Sequence, residues 1–294
     1  MKRLVLIDAN ALIHRGYHAL PPLTTKKGEL VNAVYGFSAI LLKVLRELKP
    51  NYIVTAFDLP QPTFRHLEYE EYKATRPKTP EELVRQFPIV KQVVRAFDIP
   101  IFEKEGFEAD DIIGTITKKT GKDIEDIVVT GDLDTLQLVD ANTEIYTLKK
   151  GINDTIIYDE KAVKQRFEFE PERLIDFKGL KGDPSDNIPG VPGIGDKTAI
   201  NLIKRFGTIE NLYKKLEKDK VKDIPESLKK KLLENKEQAV FSKKLATIRY
   251  DVPIKFNLED CRVETYDYQK VVKLFQELDF KSLIGRLPSQ QLAL

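Results

Sequence analysis

Three short apolar runs, each closing on an aspartate, constrain this chain more than any other feature. Arg3-Leu4-Val5-Leu6-Ile7 runs into Asp8, and Tyr52-Ile53-Val54-Thr55-Ala56-Phe57 runs into Asp58. Ile127-Val128-Val129-Thr130 runs into Gly131-Asp132, with Asp134 two residues further on. The runs are continuously apolar rather than alternating, so each predicts a strand covered on both faces, as in a parallel sheet. Pro100-Ile101-Phe102 predicts one more short strand, and residues 32–48 carry helical spacing that Pro50 closes. The fold class is α/β, a central mostly parallel sheet flanked by helices. In open sheets of this kind ligands bind outside the carboxyl ends of the strands, so Asp8, Asp58 and Asp132 are predicted to meet at one edge.

A second group of acids lies in Gly106-Phe107-Glu108-Ala109-Asp110-Asp111, at the entry to an amphipathic run over residues 112–119. Acids in the first turn of a helix cap free amides and meet the positive end of the dipole, and for this cluster alone capping is the simpler reading. The strand at 100–102 delivers Glu108, Asp110 and Asp111 to the same edge as the three strand-end aspartates. An Asp after a strand is also ordinary turn chemistry, but several strands and a helix start ending in this way point to one site. Carboxylates converging without bases call for cations, and hard oxygen ligands select magnesium or manganese. His14, His18 and His66 show no zinc-ligand spacing.

Residues 61–87 are polar, basic and aromatic together, and include Thr63-Phe64-Arg65-His66 and Glu70-Glu71-Tyr72-Lys73-Ala74-Thr75-Arg76-Pro77-Lys78. A charged stretch is most simply a solvated surface loop. Because it follows directly from Asp58, Lys73 and Arg76 could also reach a phosphate held at the metal site, Arg through paired hydrogen bonds and Lys as a compact charge. Residues 143–148 and 155–158 flank Lys149-Lys150-Gly151-Ile152-Asn153-Asp154 and predict a hairpin. Residues 171–180 predict a helix, and Asp183 and Asp186 follow in a turn. Gly190-Val191-Pro192-Gly193-Ile194-Gly195-Asp196-Lys197 then opens a helix. Glycines there allow close approach, and free amides at a helix start can hold a DNA phosphate without reading sequence. The glycine spacing is not that of a Walker loop. Residues 212–246 are Lys-rich and helical with a break at Pro225, residues 266–287 predict one more amphipathic helix, and 288–294 a tail.

Composition narrows the classes. The 294 residues, 41% of them hydrophobic, suffice for a sizeable core. A net charge of +2 from 48 basic and 46 acidic residues neither demands nor excludes a nucleic-acid partner. Cys261 is the only cysteine, which rules out an internal disulfide and suits a reducing interior, so a cytoplasmic location is expected. No apolar run is long enough to span a membrane, and Asp8 and Asn10 interrupt the only stretch resembling a leader.

Taken in order, LVLIDANALIHRGYHAL, NAVYGF, AFDLPQPTFRH, EYKATRP, GFEADDIIGT, TGDLDTLQLV and GLKGDPSDNIPGVPGIGDKTA resemble the 5′-nuclease family, and within it the 5′→3′ exonuclease domain of bacterial DNA polymerase I. The likeness runs through nearly the whole chain, and the family is similar in turn to PIN-like nucleases. The resemblance implies a PIN-like catalytic domain over 1–168 with an arch or clamp at 61–87. A helix-hairpin-helix DNA-binding domain would follow over 169–260, then a C-terminal helix and tail over 261–294. It implies metal ligation by Asp8, Asp58, Glu108, Asp110, Asp111, Asp132, Asp134, Asp183 and Asp186, and action of Lys73 and Arg76 on the scissile phosphate. DNA contacts fall to Arg65, Tyr72, Gly193, Gly195 and Lys197, and a potassium ion to the backbone near Val191 and Ile194.

The activity implied is hydrolysis of DNA phosphodiesters at 5′ ends or 5′ flaps by two Mg2+ or Mn2+ ions, in primer removal and repair. Duplex DNA is the expected partner, with a DNA polymerase in cis or in trans, and the chain is expected to be monomeric. Two other readings compete. A PIN-like ribonuclease would use the early acids but needs neither hairpin nor arch. A non-catalytic DNA-structure binding module would have lost some of the acids, and none is missing at the matched positions.

Overall fold

The computed structural model describes residues 1–152, 154–218, 221, 223–263 and 266–288. Among the described residues there are six strands: β1 (Lys2–Asp8), β2 (Tyr52–Ala56), β3 (Ile101–Phe102), β4 (Ile124–Thr130), β5 (Thr143–Lys150) and β6 (Asp154–Tyr158). They form one sheet in the order β3-β2-β1-β4-β5-β6. Strands β1 to β5 are parallel, and β6 returns antiparallel to β5 as the predicted hairpin. Strand order moves outward from β1 through β2 to β3 and then resumes on the other side with β4. The topological switch point therefore lies between β1 and β4, where loops diverge and leave a crevice.

The continuous apolar runs are explained by burial on both faces. Leu4 and Leu6 pack on one side with Ile112, Ile113 and Ile116, while Val5 and Ile7 pack on the other with Leu12, Phe37 and Leu41. All four β1 side chains are wholly buried. Each contributes roughly 1.5–3 kcal/mol, so one polar substitution there would remove a large share of a domain's net stability. On the second face, helices Ala9–Ala19 and Asn32–Leu48 cross at Gly16 and Gly36, where a Cβ on Gly36 would lie 2.5 Å from the Gly16 Cα.

Residues 61–87 form the solvated loop that their charge suggests only in part: residues 74–82 are exposed, while the flanks are structured and anchored. The flanks hold short helices Phe64–Glu68 and Glu81–Val84, and near the end of the stretch Gln86 is fully buried. The Gln86 Oε1 accepts the Ala33 N–H at 2.8 Å and so caps helix Asn32–Leu48, a task no local side chain performs. Beyond the sheet, helices Leu174–Lys181, Asp196–Phe206, Ile209–Glu217, Glu226–Glu234 and Lys236–Ala246 form a helical module. Its apolar core, including Leu202, Phe206 and Leu212, is continuous with the Leu4 face of the sheet.

The single helix expected over 266–287 is two. Helix Tyr268–Glu277 stops, Asp279 takes a left-handed φ of 61°, and helix Lys281–Ile284 follows. The turn carries Phe280 inward against Tyr35, with ring centroids 5.2 Å apart, and lets Asp279 accept the Lys26 N–H at 2.8 Å. Amphipathic spacing continues across such a break, which is why the sequence reads as one helix. Asn153 and residues 289–294 of the predicted tail lie outside the described residues. Among those described, no helix is long and apolar enough to cross a membrane.

At the end of β4 remote from the switch point, the buried Asp126 has one side-chain oxygen without a hydrogen-bond partner. Burial, and then the nearby Asp140, push its pKa up to about 8. An unfolded aspartate titrates near pH 4, so the folded chain holds an extra proton between the two values and its stability falls as pH rises through that window. Asp126→Asn is expected to remove this decline, giving a melting temperature above that of the unaltered chain at about pH 8 to 9. Calorimetry across pH checks it, and a parallel decline in both proteins would count against the assignment.

Candidate metal centre and nucleic-acid interface

Asp8 ends β1 and caps helix Ala9–Ala19, its Oδ1 accepting the Ala11 N–H at 3.1 Å. Its Oδ2 accepts the Thr130 hydroxyl at 2.6 Å, so the carboxylate bridges β1 and β4 at the switch point. Asp58, just beyond β2, accepts the Ala109 N–H at 2.7 Å, while its own N–H donates to the Asn10 side chain at 3.1 Å. Helix Ala109–Lys119 thereby starts against the end of β2, with Glu108 as its cap and Asp110 and Asp111 in its first turn. Asp132 caps the turn Leu133–Leu138 by accepting the Asp134 N–H at 2.9 Å.

The electrostatics of these acids show that they face one another. Burial drives the pKa of Asp110 well above the carboxylate range, and Asp8, Asp132 and Asp58 drive it further. Burial, then Asp58, lifts Asp8 to about 7. Asp58 is raised by burial, against the pull of the Ala109 N–H. Among the described residues, Asp8, Asp58, Asp110 and Asp132 have no lysine or arginine at ion-pair distance, whereas the other acids of the region do.

Those other acids form a paired rim. Lys73 donates to Glu108 at 2.7 Å and lies 3.8 Å from Asp186, to which Arg76 also donates. Burial would raise Glu108, but Lys73 and Arg65 outweigh it and hold the carboxyl below its usual value. Lys178 joins Asp134 and Asp183, lying 2.7 Å from the latter. Asp134 is nevertheless pushed up to about 7 by burial and then Asp132. The stretch carrying Lys73 is docked on the turn carrying Asp186. The Lys73 N–H donates to the Asp186 carbonyl at 2.9 Å and the Asn187 side chain donates to the Glu71 carbonyl at 2.8 Å. Lys73 and Asn187 both sit at left-handed φ, 55° and 56°, a conformation asparagine adopts readily but one that is strained for lysine and is held there by these cross-links.

Three expectations change. Arg65 is buried, and all five of its guanidinium donors are engaged inside the protein, so it presents nothing to DNA. Asp111 is fully buried and accepts four donors: Arg65 Nη1 and Nη2, both at 2.8 Å, the Arg249 N–H at 2.8 Å and the Glu108 N–H at 3.1 Å. A carboxylate has about four lone-pair sites, so none is left for a metal. Tyr72 is buried too, its hydroxyl 3.2 Å from Glu108 and 3.1 Å from Asp186, where it holds acids rather than facing a ligand.

The glycine stretch forms a hairpin between helices Leu174–Lys181 and Asp196–Phe206. Gly182 and Gly190 make its neck, since a Cβ on Gly190 would lie 2.2 Å from the Gly182 nitrogen. Gly193, Gly195 and Lys197 are exposed at its tip, while the side chains of Val191 and Ile194 are buried and the Ile194 N–H donates to the Val191 carbonyl at 3.0 Å.

Lys178, Thr130, Asn10, Gln137 and Arg249 escaped sequence reasoning. A lysine in a charged helix carries no signal of the two acids it will join. Only Thr130, two residues before Asp132 at a strand end, could have been noticed. Among the described residues no group of three acids is already closed into a metal cage. The donors nonetheless fit hard divalent cations: they are all oxygens, at least half-buried, and in excess of local positive charge.

A parallel sheet with acids at its switch point and a helical module beside it defines a PIN-like α/β fold. The chain belongs to the 5′-3′ exonuclease family, with residues 3–168 matching its N-terminal resolvase-like domain and residues 169–269 its C-terminal SAM fold. It is 45% identical over 289 residues to DNA polymerase I of Bacillus caldotenax, covering 98% of this chain and 32% of that protein. The chain thus spans about a third of the polymerase relatives it matches. It is 36% identical to a 5′-3′ exonuclease of Aquifex aeolicus, covering 97% of this chain and 94% of that protein. In fold it resembles the bacteriophage T5 flap endonuclease in a pseudo-enzyme-product complex with DNA and metal ions. That match has a TM-score of 0.71 and 17% identity, over 95% of this chain and 100% of that one. T5 5′-exonuclease bound to zinc is similar at a TM-score of 0.66 and 22% identity, over 83% and 89%.

Asp8 and Asp134 hold protons to about pH 7 in the folded chain, and unfolded carboxyls lose theirs near pH 4. Stability without divalent ions therefore falls as pH rises through this interval. In chelator, Asp110→Asn is expected to raise the melting temperature and flatten its decline from about pH 5 to about pH 8, because it removes one of the repelling charges. An unchanged slope would mean that the acids do not share a field.

Proposed function

We propose that this chain hydrolyses DNA phosphodiesters at 5′ ends and 5′ flaps, using two Mg2+ or Mn2+ ions held by Asp8, Asp58, Asp110 and Asp132, with Asp134 and Asp183 as further ligands. The observation that carries the reading is the bare acid group at the switch point, with Asp8 buried, Asp58, Asp110 and Asp132 half-buried, and no paired cation among them. When bound, such ions supply an activated water and neutralise charge on the phosphate and the leaving oxygen. The protein's own side chains hold the ions and add charge at the rim. Lys73 and Arg76 are partly exposed, at 22% and 46%, and stand where a phosphate approaching the acids would meet them. Glu108, Asp186 and Tyr72 orient those two cations. In this reading Asp111 has no place in the ligand set and Arg65 none among the DNA contacts.

The hairpin supports a grip on duplex DNA. Gly193, Gly195 and Lys197 lie at the start of helix Asp196–Phe206, where free amides and the dipole favour a phosphate, and the carbonyls near Val191 and Ile194 are the place for a potassium ion. Contacts of this kind follow the backbone, so duplex shape and a free 5′ end select the substrate. The polymerase relatives suggest a polymerase as partner, in cis or in trans, with the chain itself acting as a monomer.

A labelled 5′-flap duplex, incubated with and without magnesium beside single-stranded RNA, tests the reading. Cutting of the flap only in magnesium is expected. Cutting of RNA alone would favour a ribonuclease, and binding without cutting would favour a structure-binding module. Asp110→Ala is expected to abolish cutting while duplex binding stays measurable. Lys73→Ala should slow turnover by about 10²-fold with metal binding retained, as measured by single-turnover kinetics and metal titration.

A further inference from the structure

We propose that Arg65 is a positioning residue, which holds the acid-bearing start of helix Ala109–Lys119 in register with the glycine hairpin and so determines which phosphodiester meets the acids. The proposal rests on the nuclease reading above and adds to it the origin of the cutting position.

Arg65 stands at the junction of three segments. Its Nε donates to the Leu245 carbonyl at 2.8 Å and its Nη2 to the Thr247 carbonyl at 2.9 Å, both at the end of helix Lys236–Ala246. Its Nη1 and Nη2 grip Asp111 as a fork, and Nη1 also reaches Glu108 at 3.1 Å. Phe64 lies under the guanidinium, 4.6 Å from its centre. A planar fork with every donor engaged permits one relative placement of its partners, which an ammonium cannot impose. Asp110, the most crowded of the bare acids, is the immediate neighbour of Asp111, so whatever orients one orients the other.

The same helix reaches the hairpin. The Gly190 N–H donates to the Ser242 hydroxyl at 3.0 Å, and the Gln238 side chain donates to the Gly190 carbonyl at 2.5 Å. Helix Lys236–Ala246 is therefore a strut with the hairpin neck bonded along its side and Arg65 at its end. Gln137 makes a parallel link, donating to the Asp134 carbonyl at 2.9 Å and to the Ala246 carbonyl at 3.1 Å while accepting the Ile248 N–H at 2.9 Å. Arg65 ties the strut to the Glu108 and Asp110 side of the acid group, and Gln137 ties it to the Asp132 and Asp134 side. With the hairpin fixed on the duplex, the length and angle of this connection fix the position of the acids along the strand.

Two variants test it in the full chain. Arg65→Lys keeps the charge but not the fork. Arg65→Met combined with Asp111→Asn removes both charges, so no unpaired buried charge remains to unfold the protein. Product lengths are read at single-nucleotide resolution on one 5′-flap duplex in magnesium, and duplex affinity is read with calcium in its place. In both variants cutting should spread over adjacent phosphodiesters, with kcat lowered at least about 10-fold and KM and duplex affinity within about 3-fold of the unaltered chain. Lys73→Ala, acting at the phosphate, should cut slowly at the original position. A single unchanged cut position in folded Arg65 variants would overturn the proposal, as would affinity lost in step with rate, or unfolding of both variants, which would make Arg65 a core residue only. If the unaltered chain cuts no flap, the nuclease reading fails and this one with it.

Discussion

The structure is organised around a repulsion. Asp8, Asp58, Asp110 and Asp132 are brought to one point by the ends of three parallel strands and one helix start, and burial strips Asp8, Asp58 and Asp110 of much of the water that would screen them. Nothing in the apolar core relieves this. The fold tolerates it because three of these carboxylates rest on backbone or hydroxyl donors, from Ala11, Thr130, Ala109 and Asp134. It also confines the ion pairs to the margin, so that the interior of the site keeps an excess of negative charge. A site of this kind is a stored demand for cations, and its chemistry follows from that imbalance.

The margin has a structure of its own. Lys73, Arg76 and Lys178 each meet two acids or one acid and a backbone group, and the stretch carrying Lys73 and Arg76 is bonded to the turn carrying Asp186. The left-handed φ at Lys73 and at Asn187 marks where these two segments lock. Arg65 differs from the other cations in being turned inward. Its fork unites the acid-bearing helix with the end of helix Lys236–Ala246, which makes the helical module part of the site's framework rather than an appendage.

Much of this is legible in the sequence. Strand-length apolar runs bounded by aspartates report two-sided burial and an edge for ligands, because both follow from local side-chain pattern and from the topology of parallel sheets. Arg65 was not legible. In the order Phe64-Arg65-His66, beside Lys73 and Arg76, it has the look of a phosphate-binding residue, and only the approach of residues 245–247, some 180 positions away, turns it into an internal brace. The pairing of Asp111 is hidden for the same reason, since two adjacent aspartates on a helix start are equivalent in sequence and point to different neighbours in space. The split of the last helix at Asp279 likewise depends on where Tyr35 stands.

By itself, then, the sequence determined the sheet, its direction, the edge at which the acids gather and the identity of nearly all the acids there. These are properties of periodicity, charge type and spacing. Tertiary structure alone decided which acids stay bare and which are paired, and which arginine faces outward. Pairing is settled by whichever donor arrives from a distant segment, and no local pattern records that arrival.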